Sequence, residues 1–282
     1  WRYVSADVPA APEREHEIEE RLHCDETCFQ RDRDLVDRFI ASDALLSLAV
    51  SALESWSRSV ALGPRPEPGA VASGPNSVFL NETSYEITHS IQHLRHTSHL
   101  ARLVRAVEAA ILERVKANTD WWKDNARRIC LNDCGGLRYV GILALTQFPE
   151  ANAEAAKAFF ADEQLLQATD RYELGNLIEA TAPFLADALT LFEKHVFNRL
   201  HGFFATHQRY VEDERYGLLR KIPVHLWSQD VKDSVVRMET ELAPPAHQPD
   251  IHSIGGMISA PFAEAELTAL SDGELVRLLD AV

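Results

Sequence analysis

Histidines recur at helical spacing in one stretch of the chain, HSIQHLRHTSH, which contains His89, His93, His96 and His99. In an α-helix these steps place the four imidazoles within an arc of roughly 120°. Imidazole nitrogens are common zinc ligands, and a carboxylate can complete the ligand set. The spacing therefore predicts a candidate site for zinc or another divalent metal at His89, His93 and His96.

The same histidines also have a structural interpretation. Their positions continue along the helix into an apolar face, which comprises Leu100, Leu103, Val107 and Ile111. Neutral imidazoles on such a face line a helix–helix contact and donate one ring N–H each to a carbonyl group. No H-E-x-x-H motif, which would supply a general base, accompanies them. We therefore expect no cofactor and no catalytic residue, and the metal site is the alternative.

The four cysteines fall into two pairs with the same spacing, Cys24 with Cys28 and Cys130 with Cys134. Four thiolates could bind a structural metal ion, although zinc sites usually use C-x2-C at a turn. Free buried thiols that behave as small hydrophobic groups are the other interpretation. Four cysteines in 282 residues do not indicate a disulfide framework.

Charge and hydropathy exclude several classes of function. The net charge of −15 disfavours binding to nucleic acid. One basic cluster, Arg95, Arg102, Arg105 and Arg114, is diluted by Glu108 and Glu113 and is interpreted as a solvated helix face. No apolar run approaches the roughly 20 residues that cross a bilayer, and the N-terminal residues lack the apolar core of a signal peptide. We therefore expect no membrane partner and a cytoplasmic location.

Helical periodicity dominates the chain, and strands with alternating polarity are absent from the sequence pattern. The fold class predicted is all-α, an irregular helical array or α-solenoid of short amphipathic helices. Four segments are predicted: an N-terminal helical segment at 1–62, a Gly/Pro-rich linker or loop at 63–82, a helical array at 83–242, and a Pro/Gly-rich spacer with a terminal helix pair at 243–282.

Capping residues and prolines predict where the helices begin and end. Helices are expected at 12–28, 34–62 and 121–130, and one long helix is expected at 83–116, where Thr83 and Glu86 would form a capping box. The pair Gly135 and Gly136 is expected to stop the helix before it. Further helices are expected to open at Pro149, Pro183 and Pro223, and two more capping boxes are predicted at Asp170 with Glu173 and at Ser271 with Glu274.

Four stretches resemble the helical C-terminal portion of large bacterial STAND-type ATPases, many of which resemble NLR-like antiviral sensors. The stretches are LRYVGILALTQFPEANAEAAKAFFADEQLL, RYELGNLIEATAPFL, IPVHLWSQDVKDSVV and IGGMISAPFAEAELTALSDGELVRLL. The matching residues lie at 137–139, 149–152, 172–174 and 259–261, with Ser271 and Asp272, and the resemblance covers about 101–282. They are packing and capping residues, and the family's ATP-binding residues have no counterpart in this chain.

The resemblance implies a sensor or scaffold that recognises a protein or holds a larger ATPase inactive. Trp1 is not an initiator Met and the last predicted helix opens just before Val282, so we expect a piece of a larger protein. The implied partners are a protein ligand or other domains of the parent chain, with oligomerisation through the parent ATPase. No phosphate loop is present, so nucleotide hydrolysis is not assigned to the chain itself. The alternative function is a metal-dependent, all-helical hydrolase that uses the His89, His93 and His96 cluster.

Overall fold

The computed structural model describes residues 18, 32–62, 74–89, 98–198 and 208–241. These residues form twelve α-helices and one 3-10 turn, and they include no β-strand. The all-α helical array predicted from the sequence is therefore confirmed. None of the described helices is long and apolar enough to cross a membrane. In chain order the helices are α1 (Asp32–Ala41), α2 (Asp43–Leu62), α3 (Tyr85–His89), α4 (His99–Lys116), α5 (Asp120–Cys130), α6 (Gly135–Gln147), α7 (Ala153–Phe160), α8 (Glu163–Gln167), α9 (Arg171–Leu185), α10 (Asp187–Asn198), α11 (Gln208–Leu219) and α12 (Gln229–Glu241).

The long helix predicted at 34–62 is two helices, separated at Ser42. The Ser42 hydroxyl accepts a hydrogen bond from the Leu45 N–H (3.3 Å), which caps the start of α2. At the end of α1, Arg114 donates to the carbonyl oxygens of Phe39 (2.8 Å) and Ile40 (3.1 Å). A long-range contact therefore satisfies the helix end that the break creates.

Arg114 itself corrects the prediction that the basic cluster is a solvated helix face. Its side chain is buried and also forms an ion pair with Asp43, in which Nη2 lies 2.7 Å from Oδ1. The guanidinium lies 5.4 Å from the centre of the Trp121 ring, in a cation–π contact. Arg114 is therefore a structural group that joins α1, α2 and α4 to the start of α5.

The helix predicted at 83–116 is also interrupted. Helix α3 ends at His89, and a separate helix α4 begins at His99, where Ser98 accepts the Ala101 N–H at 3.0 Å. Thr83 accepts the Tyr85 N–H at 3.1 Å, so it does cap α3. Glu86, its expected partner in the capping box, extends to Arg105 on α4 at 2.8 Å instead. Residues 90–97 lie outside the described part of the chain.

The prediction that Gly135 and Gly136 stop α5 is wrong, because the two residues form the first turn of α6. The preceding loop lies so close to them that side chains would not fit. A Cβ on Gly136 would lie 2.6 Å from the Phe79 carbonyl oxygen, and one on Gly135 would lie 2.8 Å from that of Asn76. The Gly pair is therefore required for close backbone approach. Helix α5 itself spans nearly the predicted residues.

The three prolines expected to open helices occupy different positions. Pro149 lies in a turn before α7 begins at Ala153, and Pro183 lies in the last turn of α9. Helices α9 and α10 are separated by Ala186, which has φ 49°. Pro223 precedes only the 3-10 turn Val224–Leu226. The helices predicted at 12–28 and after Ser271 lie outside the described residues, except Ile18, which is helical and buried.

Neighbouring helices pack in two rows. One row is α4, α6, α9 and α11, in which each helix contacts the next, and the other is α5, α7 and α10. Contacts between consecutive helices join the two rows: α4 contacts α5, α6 contacts α7, and α9 contacts α10. Helices α1 and α2 both pack against α4, and α12 packs against α11. The buried apolar side chains of all these helices form one continuous core.

Candidate functional site

Residues 74–89, which we name the bridging segment, connect helices that are far apart in the sequence. Asn76 accepts hydrogen bonds from Ser57 on α2 (3.1 Å) and, through its carbonyl oxygen, from Arg138 on α6 (2.9 Å). Its own N–H donates to the Asp133 carbonyl at 2.9 Å. The first half of the bridging segment is therefore fixed between α2 and the start of α6.

His89, at the end of the bridging segment, lies in a contact between α3 and α9. Its Nε2 atom is 2.7 Å from Oε1 of Glu173, and both side chains are buried. The imidazole stacks on the Tyr85 ring with centroids 3.8 Å apart, and the edge of Tyr172 lies 5.8 Å away. This placement matches the structural interpretation of His89, but its partner is a carboxylate rather than a carbonyl group.

Asp170 and Glu173, predicted as a capping box, both contact the bridging segment. Asp170 occupies the N-cap position of α9, yet within the described residues its side chain makes no capping hydrogen bond. It accepts a short hydrogen bond from the Tyr85 hydroxyl instead. Since Glu173 faces His89, the capping-box prediction is wrong: tertiary partners replace the local ones.

Glu108 on α4 accepts two hydrogen bonds from the same residue of the bridging segment. The Ser84 N–H donates to Oε2 at 2.9 Å, and the Ser84 hydroxyl makes a short hydrogen bond to Oε1. Burial raises the pKa of Glu108, while the bonds from Ser84 and the charge of Arg105 oppose the rise. Nearby, burial raises the pKa of Tyr139 to about 12, and its ring meets the edge of Tyr85.

Together these groups form a buried polar cluster between α3, α4, α6 and α9. Its members are Ser84, Tyr85, Glu86, His89, Arg105, Glu108, Tyr139, Asp170, Tyr172 and Glu173. Most of its polar atoms pair with one another. One exception is Oε2 of Glu173, which is buried and accepts no hydrogen bond from the residues that the structure describes. Pairing of this kind holds helices together and makes their arrangement specific.

The predicted metal ligands are only partly described. His93 and His96 lie outside the described residues, as do Cys24 and Cys28. Within the described ranges, no group of three or more His, Cys, Asp or Glu side chains could hold a metal ion. Cys130 and Cys134 are free, buried thiols, as the second interpretation predicted. Burial raises the pKa of both thiols, and their sulfur atoms lie near the carbonyl oxygens of Gly141 and Val78.

Two grooves flank the exposed side of α5. The larger, of about 590 Å³, lies between α2 and α5, and the smaller, of about 330 Å³, lies between α5 and the start of α7. Arg127 lines both grooves. In the larger groove Arg128 pairs with Glu54 (2.6 Å), whereas Arg58 and Arg127 make no ion pair among the described residues. The larger groove is also lined by Ser57, Asp124, Leu131, Asn132, Asp133 and Cys134.

Sequence reasoning missed most of the buried polar cluster, although one signal was present. Glu108 lies four residues after Val104 and three before Ile111, so it falls on the apolar face of α4. A carboxylate at such a position requires a buried partner. The pairing of Tyr85 with Asp170, across 85 residues, had no comparable local signal.

The fold and the cluster define the class of protein as an all-α helical array in which buried polar contacts join neighbouring helices of one row. Comparison of the chain with protein-family models, curated proteins and solved structures gives no significant match. The resemblance to STAND-type ATPases therefore stays a prediction from the residues.

Proposed function

We propose that this chain is a non-catalytic helical sensor or scaffold, which recognises a protein partner or holds a larger regulatory ATPase inactive. The observation that carries the proposal is the pair of grooves on either side of α5, where Arg58 and Arg127 make no ion pair among the described residues. The larger groove has a volume typical of ligand sites. It is built on helices, and this gives it a defined shape for recognition.

Charge on the larger groove favours a protein partner. Arg58 comes from α2 and Arg127 from α5, and Asp124 and Asp133 add negative charge to the same lining. Rim charges of both signs supply orientation and specificity when a complementary protein surface approaches. The net charge of −15 makes an acidic nucleic acid a poor alternative. A folded domain of the parent ATPase or a foreign protein would both fit this description.

The test reverses the charges of two groove arginines in the parent protein. The double variant Arg58→Glu and Arg127→Glu is compared with Lys232→Glu, an exposed residue on α12 outside both groove linings. Because rim charges direct the contact, we expect the double variant to change the rate of ATP hydrolysis several-fold, with the control unchanged. Equal rates for all three proteins would overturn the proposal, as would ATP hydrolysis by the isolated chain.

The metal-dependent hydrolase remains the rival proposal, because His93 and His96 lie outside the described residues. Elemental analysis of the purified chain separates the two proposals. Stoichiometric zinc, manganese or iron that disappears in the His93→Ala variant would support the hydrolase. A chain without stoichiometric metal would count against it.

A further inference from the structure

We propose that residues 84–89 are a releasable latch, which opens separately from the rest of the array and thereby uncouples α9 from α4. Its regulatory meaning rests on the proposed function, because a sensor or an inhibitory scaffold needs an element that changes state. The latch is the second half of the bridging segment, and three features distinguish it from the helices around it.

The first feature is the way in which the latch is held. Helix α3 has only five residues, far fewer than a helix needs to be stable in water. Its attachments include Ser84 with Glu108 and Glu86 with Arg105 on α4, and Tyr85 with Asp170 and His89 with Glu173 on α9. The Tyr139 side chain on α6 also hydrogen-bonds with Ser84 and Thr88. Hydrogen bonds of this kind can be exchanged for bonds to water at modest net cost.

The two large apolar side chains of the latch, Tyr85 and Ile87, lie outside the continuous apolar core that the neighbouring helices share. The Tyr85 ring is buried and packs on His89 and Tyr139. By contrast, the Ile87 side chain on the outer face of α3 is 56% exposed. The buried Oε2 atom of Glu173 further favours opening, because water would supply the hydrogen bond that the closed state lacks among the described residues.

The second feature is unequal anchorage of the two halves of the bridging segment. The first half is fixed by close backbone packing against Gly135 and Gly136, where a Cβ would collide with residues 76–79. Phe79 is buried there and adopts a left-handed conformation (φ 62°), which persists only where surrounding packing enforces it. The latch therefore has a firm base from which it can pivot at the turns of residues 80–83.

The third feature is the position of the latch between the helices of one row. Helix α6 packs between α4 and α9, and the latch spans from Glu108 on α4 to Glu173 on α9. Its opening would remove this direct connection and leave α6 as the link. A partner that stabilises the open or the closed state would shift the arrangement of both helices.

Hydrogen exchange of the full chain, read by mass spectrometry, tests the latch without a partner. We expect the amides of residues 84–89 to exchange through an opening that costs less free energy than opening of α6. The variants Tyr85→Phe and Glu173→Gln should each raise exchange of the latch roughly tenfold. Exchange should also rise at the facing residues of α4 and α9, while the centre of α6 stays protected. The control is Glu179→Gln on α9, which removes an exposed ion pair with Lys221, a residue that follows α11.

The outcomes separate the latch from the proposed function. If residues 84–89 exchange only together with α6 and α9, or if the variants raise exchange uniformly along the chain, the latch is overturned. If the latch opens as expected but Tyr85→Phe leaves ATP hydrolysis by the parent protein unchanged, its regulatory role is overturned. If the charge-reversal variant in the groove leaves the rate of ATP hydrolysis unchanged while Tyr85→Phe alters it, the groove is not the recognition site and the regulatory role of the latch is supported.

Discussion

His89 and Glu173 are separated by 84 residues in the sequence, yet Nε2 of one lies 2.7 Å from Oε1 of the other in a buried contact. The two residues belong to α3 and α9, and their contact closes the bridging segment against the array. A buried imidazole that faces a buried carboxylate gives each group a partner that water can no longer supply.

Removal of the carboxylate should be costly. We expect Glu173→Ala to lower the free energy of unfolding by about 3 kcal/mol, because it removes a buried hydrogen-bonding partner of His89. Urea unfolding of the full chain measures the change. The matched control is Glu179→Ala on the same helix, whose exposed pair with Lys221 should be worth less than about 1 kcal/mol. Equal losses in the two variants would contradict the importance of the buried contact.

Glu108 should make stability depend on pH. Because burial raises its pKa, the folded chain binds the proton more tightly than the unfolded chain does. This contribution to stability is complete below the unfolded pKa and is lost as the pH rises through the folded pKa. We expect Glu108→Gln to flatten the decline in stability as the pH rises above the ordinary pKa of a glutamate, about 4.3. Chemical unfolding at a series of pH values measures the slope.

Glu113 provides the control for this pH dependence. It lies on the same helix but is exposed, so Glu113→Gln should leave the slope unchanged. Both variants remove one carboxylate from α4, and they differ in burial. If they alter the slope equally, the pH dependence does not come from the buried site.

Ala186 should be a site where glycine stabilises the protein. Its φ of 49° and ψ of −122° lie in a region that favours glycine, and its side chain is exposed. We expect Ala186→Gly to raise the free energy of unfolding by roughly 1 kcal/mol, since relief of strain exceeds the added entropy of the unfolded chain. The control Ala161→Gly, at φ −82°, should lower it by about 0.5–1 kcal/mol. A loss of stability in both variants would contradict strain at Ala186.

Cys130 and Cys134 should react slowly with thiol reagents. Burial excludes the reagent and raises the pKa of both thiols, so little thiolate is available near neutral pH. In a chain that carries Cys24→Ser and Cys28→Ser, we expect both remaining thiols to react at the rate of unfolding. Fast reaction of the folded chain would contradict their burial. The same variants test the structural metal site of four thiolates: unchanged metal content and melting temperature would exclude it.

Local sequence signals predicted helix ends that neighbouring residues determine, and they failed where residues distant in the sequence determine the ends. Helix α5 was predicted almost to its ends, and its start is fixed locally, because the adjacent Thr119 side chain accepts the Trp122 N–H. The break at Ser42 was not, since Arg114, more than 70 residues away, satisfies the end of α1. Gly135 and Gly136 resembled a helix stop, but the approach of residues 76–79 explains them.

The candidate site shows the same division. The sequence pattern placed His89 on a helix that continues to Ile111, whereas the structure ends that helix at His89 and places the partner of His89, Glu173, on α9. Asp170 and Glu173 fit a capping-box pattern in the sequence, and only the folded chain brings Tyr85 and His89 to them. Contacts between residues more than 80 positions apart leave no periodic signal in a single sequence.

Hydrolysis of ATP and of a simple ester by the purified chain, with and without added divalent metal, tests the non-catalytic role most directly. The proposed role predicts rates equal to those of the same chain after thermal unfolding. Turnover that requires metal and disappears in the His93→Ala variant would contradict it and would establish the metal-dependent hydrolase.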